Sequence, residues 1–235
     1  MSEEVSENAE PEVRFFGVDP PDQLFELSDQ VRRVIDQMIR VDENSPELAA
    51  IRDDARALAG RLQAIARSGA SPRMLPEVAP GPDDLRPYYP SDARRWHVNP
   101  MHPPLELDHD PSGAFRGRVT LGLAWEGPPG SVHGGFVAML FDQILGHANV
   151  ANGIPAMTGE LRVRYHRPTP LHVPLVFEVA PAVRESERRV RTRGVLRAGD
   201  DVTAEAEGMF VMPRVDRSDF QIDPASFGRE GAGSE

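Results

Sequence analysis

The sequence contains no cysteine and no lysine, and each absence excludes a class of chemistry. Without cysteine the chain forms no disulfide, no thiolate metal site and no cysteine nucleophile, and nothing points to an oxidising compartment. Without lysine it forms neither a Schiff base nor the phosphate contact of a P-loop. All 26 basic residues are therefore arginine, against 37 acidic residues. The formal net charge of -11 argues against nonspecific binding to nucleic acid or to an anionic membrane.

Long apolar runs are also missing. No segment approaches the roughly 20 apolar residues that a membrane-spanning helix needs. Residues 1–10 are acidic, whereas a secretory signal would be basic and then apolar. We therefore expect a cytoplasmic protein that has no membrane span and no nucleic-acid partner. At 235 residues the chain can hold one ample domain with an extension.

Two amphipathic stripes precede the main domain. Apolar residues recur at three-and-four spacing over residues 24–41 and 48–65, and a helix-start signal stands before each stripe. These stripes predict a helical hairpin over residues 19–69, between a loose terminus at 1–18 and a proline-rich connector at 70–104. The hairpin could be a lid or a partner-binding arm, or it could cover an apolar surface of the main domain or of a neighbouring subunit.

After Gly113 the apolar period changes from that of a helix to that of a strand. Alternating residues predict strands over residues 115–125, 156–166, 171–183, 188–197 and 202–212. The run 136–150 is apolar on every side of a helical wheel, which predicts a helix buried all round. No helical pattern separates the later strands. We therefore predict an α+β domain over 105–213, with an antiparallel sheet against one long helix, and a flexible tail at 214–235.

One carboxylate stands out in the predicted buried helix. Asp142 is the single acidic residue between Gly134 and Gly146, and burial of an ionisable group costs free energy unless the group is paired, neutralised or used. At the helix start, Gly134 and Gly135 would leave amide donors that can polarise a carbonyl, because first-turn amides have no partner within the helix. The pattern also fits a tight glycine turn and a buried acid satisfied by a neighbour.

Gly134 and Asp142 cannot act on one carbonyl within a single chain. A helix rises about 1.5 Å per residue, so eight residues separate the two by roughly 12 Å. In a homodimer with two antiparallel copies of the helix, Gly134 of one subunit would face Asp142 of the other. Two equivalent sites would result.

Further spaced elements surround this pair: Glu126-Gly-Pro-Pro-Gly130, His133-Gly-Gly135, Met157-Thr158 and Tyr165-His-Arg-Pro-Thr-Pro-Leu171. Together with Asp142 and Gly146 they resemble the hotdog-fold acyl-CoA thioesterases, closest to the phenylacetate-pathway type and the mammalian thioesterase-superfamily proteins. The resemblance covers roughly residues 113–213. It implies a hotdog fold, in which a curved antiparallel sheet wraps around one long central helix. It also implies active sites at a dimer interface and dimers that often pair into tetramers.

The resemblance further implies roles for individual residues. Asp142 matches the carboxylate that attacks the thioester or activates water, and Gly134 matches the amide donor to the thioester oxygen. His133 matches a histidine that helps to orient the acyl group, although it could instead cap backbone groups of its loop. Thr158 matches a residue that positions Asp142 or the attacking water. Asn99 is the candidate for an upstream asparagine that some members use.

The anionic end of coenzyme A requires cations, and it belongs to the substrate, so we expect no separate cofactor and no metal. The predicted substrate-binding residues are Gly135, Arg164, His166, Arg167 and Arg188, with Arg184 and Arg189 on the same basic surface. Arg164 and His166 are the best carried-over positions, but His166 departs from the lysine of the mammalian members. The arginines could instead belong to a solvated face of the sheet.

The sequence therefore predicts an enzyme that hydrolyses an acyl-CoA thioester to a carboxylic acid and free CoA. Two alternatives stay open. One is a hotdog hydratase or dehydratase that acts on enoyl-CoA or hydroxyacyl-CoA. The other is a noncatalytic acyl-CoA sensor.

Overall fold

The structure is a computed structural model that describes residues 22–66, 97–109, 115–154 and 156–212. It has three α-helices, α1 (Asp22–Met38), α2 (Leu48–Ile65) and α3 (Gly134–Ala151), and a single 3-10 turn at Leu123–Trp125. Its strands are β1 (Glu106–His109), β2 (Phe115–Thr120), β3 (Met157–Tyr165), β4 (Pro174–Val179), β5 (Val183–Arg184), β6 (Arg189–Ala198) and β7 (Asp201–Val211). The predicted loose terminus and tail lie outside the described residues, and so does most of the predicted connector.

The seven strands form one antiparallel sheet in the order β1-β2-β4-β6-β7-β3, and the short β5 pairs with β6. The antiparallel prediction is therefore confirmed. The first predicted strand is shorter than expected, because the chain leaves the sheet after Thr120 and enters the 3-10 turn. Gly199 has a φ of +60° between β6 and β7, where the hairpin turn was predicted. β3 lies at an edge of the sheet, so one side of its backbone faces away from the other strands.

The core lies between α3 and one face of this sheet. Alternate residues of β2, β4 and β6 are buried, as expected for strands with one covered face. The Phe141 ring of α3 meets the Phe177 ring of β4 edge to face at 5.1 Å between centroids. α3 packs closely on β2 at Gly117, where a Cβ would lie 2.5 Å from Ile144 Cδ1. A curved antiparallel sheet around one central helix is the hotdog fold that the resemblance implied.

α3 is not buried all round, so that part of the prediction was wrong for a single subunit. Nine of its residues are buried, but one face remains open. Gly135 and Asp142 are exposed on this face, and Met139 and Gly146 are half-buried. The reason is geometric: the sheet of the same chain covers one side of the helix and leaves the opposite side uncovered.

Arg32 anchors α1 to the segment that leads into β1. The side chain is 8% exposed, and its guanidinium donates to three backbone carbonyl oxygens at 2.5 to 3.1 Å, those of His97, Asn99 and His102. It also pairs with Asp29 at 2.7 Å. The α1 helix packs against the 3-10 turn as well. The beginning of the predicted hairpin is therefore fixed to the main domain.

α2 contrasts with α1, because the structure shows no buried residue along it. Helices lie on both predicted stripes, but the two stripes do not bury each other. The division of the chain into domains stays a prediction. Among the described residues, no helix combines the length and the apolar character that a bilayer span requires.

Candidate active site

The turn before α3 leaves one backbone amide open. His133 caps the helix: its Nδ1 accepts a hydrogen bond from the Gly135 amide at 3.0 Å, and its carbonyl oxygen accepts one from the Phe136 amide at 2.9 Å. No described residue accepts a hydrogen bond from the Gly134 amide. That donor therefore stands free at the positive end of the helix dipole. The geometry separates the two predicted donors, because Gly135 is engaged within the turn and Gly134 is available.

Contacts with two neighbouring segments hold this turn in place. The His133 amide donates to the Trp125 carbonyl oxygen at 2.9 Å, and the Val132 amide donates to the Thr169 carbonyl oxygen at 2.8 Å. Gly127 lets the loop fold back onto the turn, because a Cβ there would lie 2.7 Å from the His133 Cα. The capping alternative for His133 is what the structure shows. Its role toward the acyl group stays a prediction.

Tyr165 is a site residue that sequence reasoning missed. Its hydroxyl donates to the Gly134 carbonyl oxygen at 2.7 Å, and its ring carbons lie 3.4 to 3.5 Å from the position of a Cβ on Gly134. The tyrosine therefore orients the peptide whose neighbouring amide is open. In the sequence, Tyr165 occupies an alternating position of β3 and begins the Tyr165–Leu171 element, but neither signal distinguishes a core residue from one that holds the turn.

Asp142 lies on the open face of α3, and its carboxylate forms no hydrogen bond or ion pair with any described residue. The alternative of a buried acid satisfied within its own chain therefore does not hold for these residues. Eight residues separate Asp142 from Gly134 along the helix, which is roughly 12 Å. Thr158 is exposed on the edge strand β3, next to the irregularity between Thr158 and Glu160. One subunit does not join these groups into a single site.

The predicted phosphate-binding residues fall into two groups. Arg164 and His166 both approach Glu205, at 3.7 and 3.4 Å, and Arg167 pairs with Asp201. Glu205 and Asp201 therefore offset much of the positive charge of Arg164 and Arg167.

The β5–β6 hairpin holds the second group. Arg188 Nε donates to the Met212 carbonyl oxygen at 3.0 Å, and Arg184 donates to the Glu187 carbonyl oxygen at 3.0 Å. Neither guanidinium has a carboxylate partner among the described residues, so no carboxylate offsets their charge there.

The outer face of the sheet carries alternating columns of charge. Acidic residues lie on β1, β4 and β7, and arginines lie on β2, on β6 and on the edge strand β3, so the two signs alternate across the sheet. A trough of about 750 Å³ opens there, lined in part by Arg162, Arg193 and Glu207. The Arg193 hydrogen bond lowers the pKa of Glu207, and the Glu160 hydrogen bond raises the pKa of Arg162. The trough lies on the opposite side of the sheet from α3, so it is not the site of Asp142.

Buried polar groups on α3 face the protein interior. Asn149 accepts a hydrogen bond from the Thr192 hydroxyl at 2.6 Å, which ties α3 to β6. Burial lowers the pKa of His147 to about 4, so this side chain is neutral at physiological pH. Among the described residues, no cluster of three or more histidine and carboxylate side chains has the arrangement of a metal site.

Comparison with solved structures identifies the family. A crystal structure described as a thioesterase superfamily protein superposes with a TM-score of 0.68 at 32% identity, over 83% of this chain and 97% of that chain. This chain belongs to the thioesterase superfamily. The matched share of the chain is larger than the hotdog domain alone, so the match also includes residues upstream of that domain.

Two further solved structures are more distant matches. A putative thioesterase related to phenylacetic acid degradation, from Ralstonia eutropha JMP134, has a TM-score of 0.42 at 18% identity, over 46% of this chain and 84% of that one. A Streptococcus mutans UA159 protein bound to acetyl-CoA has a TM-score of 0.43 at 20% identity, over 47% of this chain and 90% of that one. No protein-family model matches the chain.

Proposed function

We propose that the protein is an acyl-CoA thioesterase that hydrolyses an acyl-CoA to a carboxylic acid and free CoA, and that it works as a homodimer. The Gly134 amide of one subunit stabilises the oxyanion that forms on the thioester carbonyl. Asp142 of the other subunit acts on the carbonyl carbon, as general base for water or as nucleophile. CoA leaves as the thiol, and the acyl group takes up the oxygen of water.

One observation carries this proposal. The Gly134 amide and the Asp142 carboxylate are the two groups of α3 that thioester hydrolysis needs, and neither has a partner among the described residues. They belong to one helix but lie too far apart to share one carbonyl. An antiparallel second copy of α3 against the open face would bring each group opposite its counterpart, and each site would then contain one amide and one carboxylate.

The β5–β6 hairpin is the proposed contact for the CoA phosphates. Arg184 and Arg188 are its two guanidinium groups that bond only backbone carbonyls. The neighbouring Arg189 pairs with Val211, which pairs in turn with Met157, beside Thr158. The hairpin therefore shares its end of the sheet with Thr158. Arg188→Ala should therefore raise KM for acyl-CoA while kcat stays near the wild-type value, and Arg167→Ala should have a smaller effect on KM.

The activity is tested by release of free thiol from acyl-CoAs of graded chain length and from an aromatic acyl-CoA. Wild-type protein should release CoA from at least one of them, and Asp142→Asn should not. Binding of acyl-CoA without thiol release from any substrate would contradict the proposal and favour the sensor. Hydration of an enoyl-CoA without thiol release would favour the hydratase.

Subunit sharing is tested with Gly134→Pro, which removes the amide donor. Proline is tolerated at the first position of a helix, and His133 already has the extended ψ of 130° that a residue before proline requires. The matched control is Gly134→Ala, which adds a Cβ and keeps the amide. Both Gly134→Pro and Asp142→Asn homodimers should be impaired. A purified heterodimer of the two should recover one intact site out of two.

The heterodimer distinguishes a shared site from a site within one chain. In a shared site, the Asp142 of the Gly134→Pro chain works with the Gly134 of the Asp142→Asn chain, and turnover returns to about half that of wild type. If both groups served within one chain, each subunit of the heterodimer would remain defective. A heterodimer no more active than the two homodimers would therefore refute the shared site.

A further inference from the structure

α2 is a regular helix that the described part of its own chain does not cover. It runs for 18 residues, and none of them is buried against the part of the chain that the structure describes. Ile51 is 54% exposed and Ile65 is 79% exposed. Isolated helices of this length are marginal in water, because most helical stability in proteins comes from packing an apolar face.

The apolar residues of α2 follow the spacing of a coiled-coil seam. They recur at intervals of three, four, three, four and three residues, which places them at the a and d positions of successive heptads. The seam consists of Leu48, Ile51, Ala55, Leu58, Leu62 and Ile65. It is about 27 Å long at 1.5 Å per residue. A stripe this narrow fits one facing helix better than it fits a broad sheet surface.

We infer that α2 pairs with α2 of a second copy of this chain in an antiparallel coiled coil. With Ala55 opposite Leu58 of the partner subunit, Ile51 faces the partner's Leu62, and all six seam positions meet seam positions. The pairing is self-complementary about a two-fold axis, so one surface supplies both sides. The antiparallel arrangement also opposes the two helix dipoles favourably. This inference goes beyond the proposed function and does not depend on it.

The charges beside the seam favour this orientation. At the g positions, Asp54 of one copy would lie beside Arg61 of the partner subunit, and the two-fold axis repeats the pair. At the e positions, Arg52 would meet the partner's Ala59, so no like charges face each other. Flanking charges of this kind set partner choice and orientation in coiled coils. The α1 anchor at Arg32 is the fixed point from which the chain presents α2 to a second copy.

Cysteine cross-linking tests the register, since the natural chain has no cysteine. We would mix two single-cysteine chains, Ile51→Cys and Leu62→Cys, and oxidise them mildly. The antiparallel seam predicts a disulfide-linked dimer in the mixture and none in either variant alone, because residue 51 and its own copy lie about 16 Å apart along the axis. The matched control is the pair Asp53→Cys and Gly60→Cys. These two positions are also level with each other in this register but lie on the outer faces of the helices, so they should not cross-link.

Each other outcome overturns the inference. Cross-linking of Ile51→Cys alone would indicate a parallel pair. If no dimer forms and a maleimide labels the seam cysteines rapidly, the face is free in solution. If no dimer forms and labelling is slow, another segment or a different protein surface covers the seam.

Charge exchange gives a second measurement that does not require cysteine in the seam. Asp54→Arg and Arg61→Asp each place like charges beside the seam. Each should weaken the association of two full-length chains through α2 by roughly tenfold. The double variant exchanges the charges and should restore association. Asp54 and Arg61 are seven residues apart in one helix and do not contact each other there. Failure of the double variant to restore association would therefore contradict the antiparallel pairing.

Discussion

α2 and α3 are both 18 residues long, yet the structure supports them in opposite ways. α3 has nine buried residues and lies in the curve of its own sheet, whereas α2 has none. α3 is apolar on most sides, so the sheet can cover one side of it while apolar surface remains exposed on the opposite side. α2 is apolar along one stripe and is otherwise rich in alanine, arginine and aspartate. The length of a helix therefore does not indicate whether its own chain buries it, whereas the width of its apolar face does.

The difference also explains where the chemistry lies. A helix held rigidly by its own sheet can present an unpaired amide and an unpaired carboxylate at fixed positions on its open side. A helix without such support cannot hold reacting groups to a fraction of an ångström. We therefore expect α3 to carry the reaction and α2 to carry association.

The largest difference should appear when the same carboxylate change is made on both helices. Asp142→Asn keeps the size of the side chain but removes the base or nucleophile, so kcat should fall by roughly 100-fold to 10,000-fold. Asp53→Asn removes a carboxylate from the exposed outer face of α2 and should leave kcat within about twofold. The measurement is thiol release at saturating acyl-CoA. Circular dichroism should show that both variants fold, and equal kcat values for the two would contradict the division of roles.

The next largest difference concerns stability. Ile144 is completely buried in α3, so Ile144→Ala should lower the free energy of unfolding by about 2–5 kcal/mol through lost burial and a cavity. Ile51 is 54% exposed in α2, and Ile51→Ala should cost less than about 1 kcal/mol of the unfolding free energy of the hotdog domain. Urea denaturation followed by tryptophan fluorescence measures both. A large loss for Ile51→Ala at every protein concentration would mean that α2 packs against its own chain.

Periodicity predicted much of the fold, because local pattern determines which residues enter a helix or a strand. It could not reveal which surfaces the chain covers by itself. The open face of α3 carries Met139 and Gly146, and these residue types occur both in a protein core and at a subunit interface. The pairing of Arg164 with Glu205 depends on the β3–β7 register between residues 41 positions apart.

The site shows the same limit of local information. The turn at His133 could be predicted from its motif, because the glycines and the following apolar run are adjacent in sequence. The Tyr165 hydrogen bond to Gly134 could not be predicted in this way, because it joins residues 31 positions apart. Which distant residues contact the motif depends on the three-dimensional fold, and a single sequence does not give the distances between residues far apart in the chain.

A smaller effect should follow from pH, and it should be confined to the supported region. His147 has a pKa of about 4 in the folded protein because of burial, against 6.5 for the ordinary side chain. The unfolded chain therefore binds this proton more readily, and stability that is complete above about pH 6.5 falls as the pH falls toward 4. The loss from this residue is roughly 3 kcal/mol.

The control for this prediction removes the titrating group. His147→Gln should lack the portion of the pH dependence between 6.5 and 4, whereas the exposed His172→Gln should retain it. The measurement is the urea midpoint at several pH values. Identical pH profiles for wild type and His147→Gln would show that the buried histidine does not govern acid stability.

The smallest effect should be local and should lie at the junction between the two regions. Arg32→Ala removes the donor that serves the carbonyl oxygens of His97, Asn99 and His102, so α1 should undock at a cost of about 1–3 kcal/mol. The exposed neighbour Arg33 supplies the matched control, since Arg33→Ala should change stability by less than about 0.5 kcal/mol. Hydrogen exchange should accelerate in α1 of the Arg32 variant and remain slow in α3. Equally fast exchange in α3 would mean that α1 belongs to the core that holds the site. In that case α1 could not be treated as a separate anchor for α2.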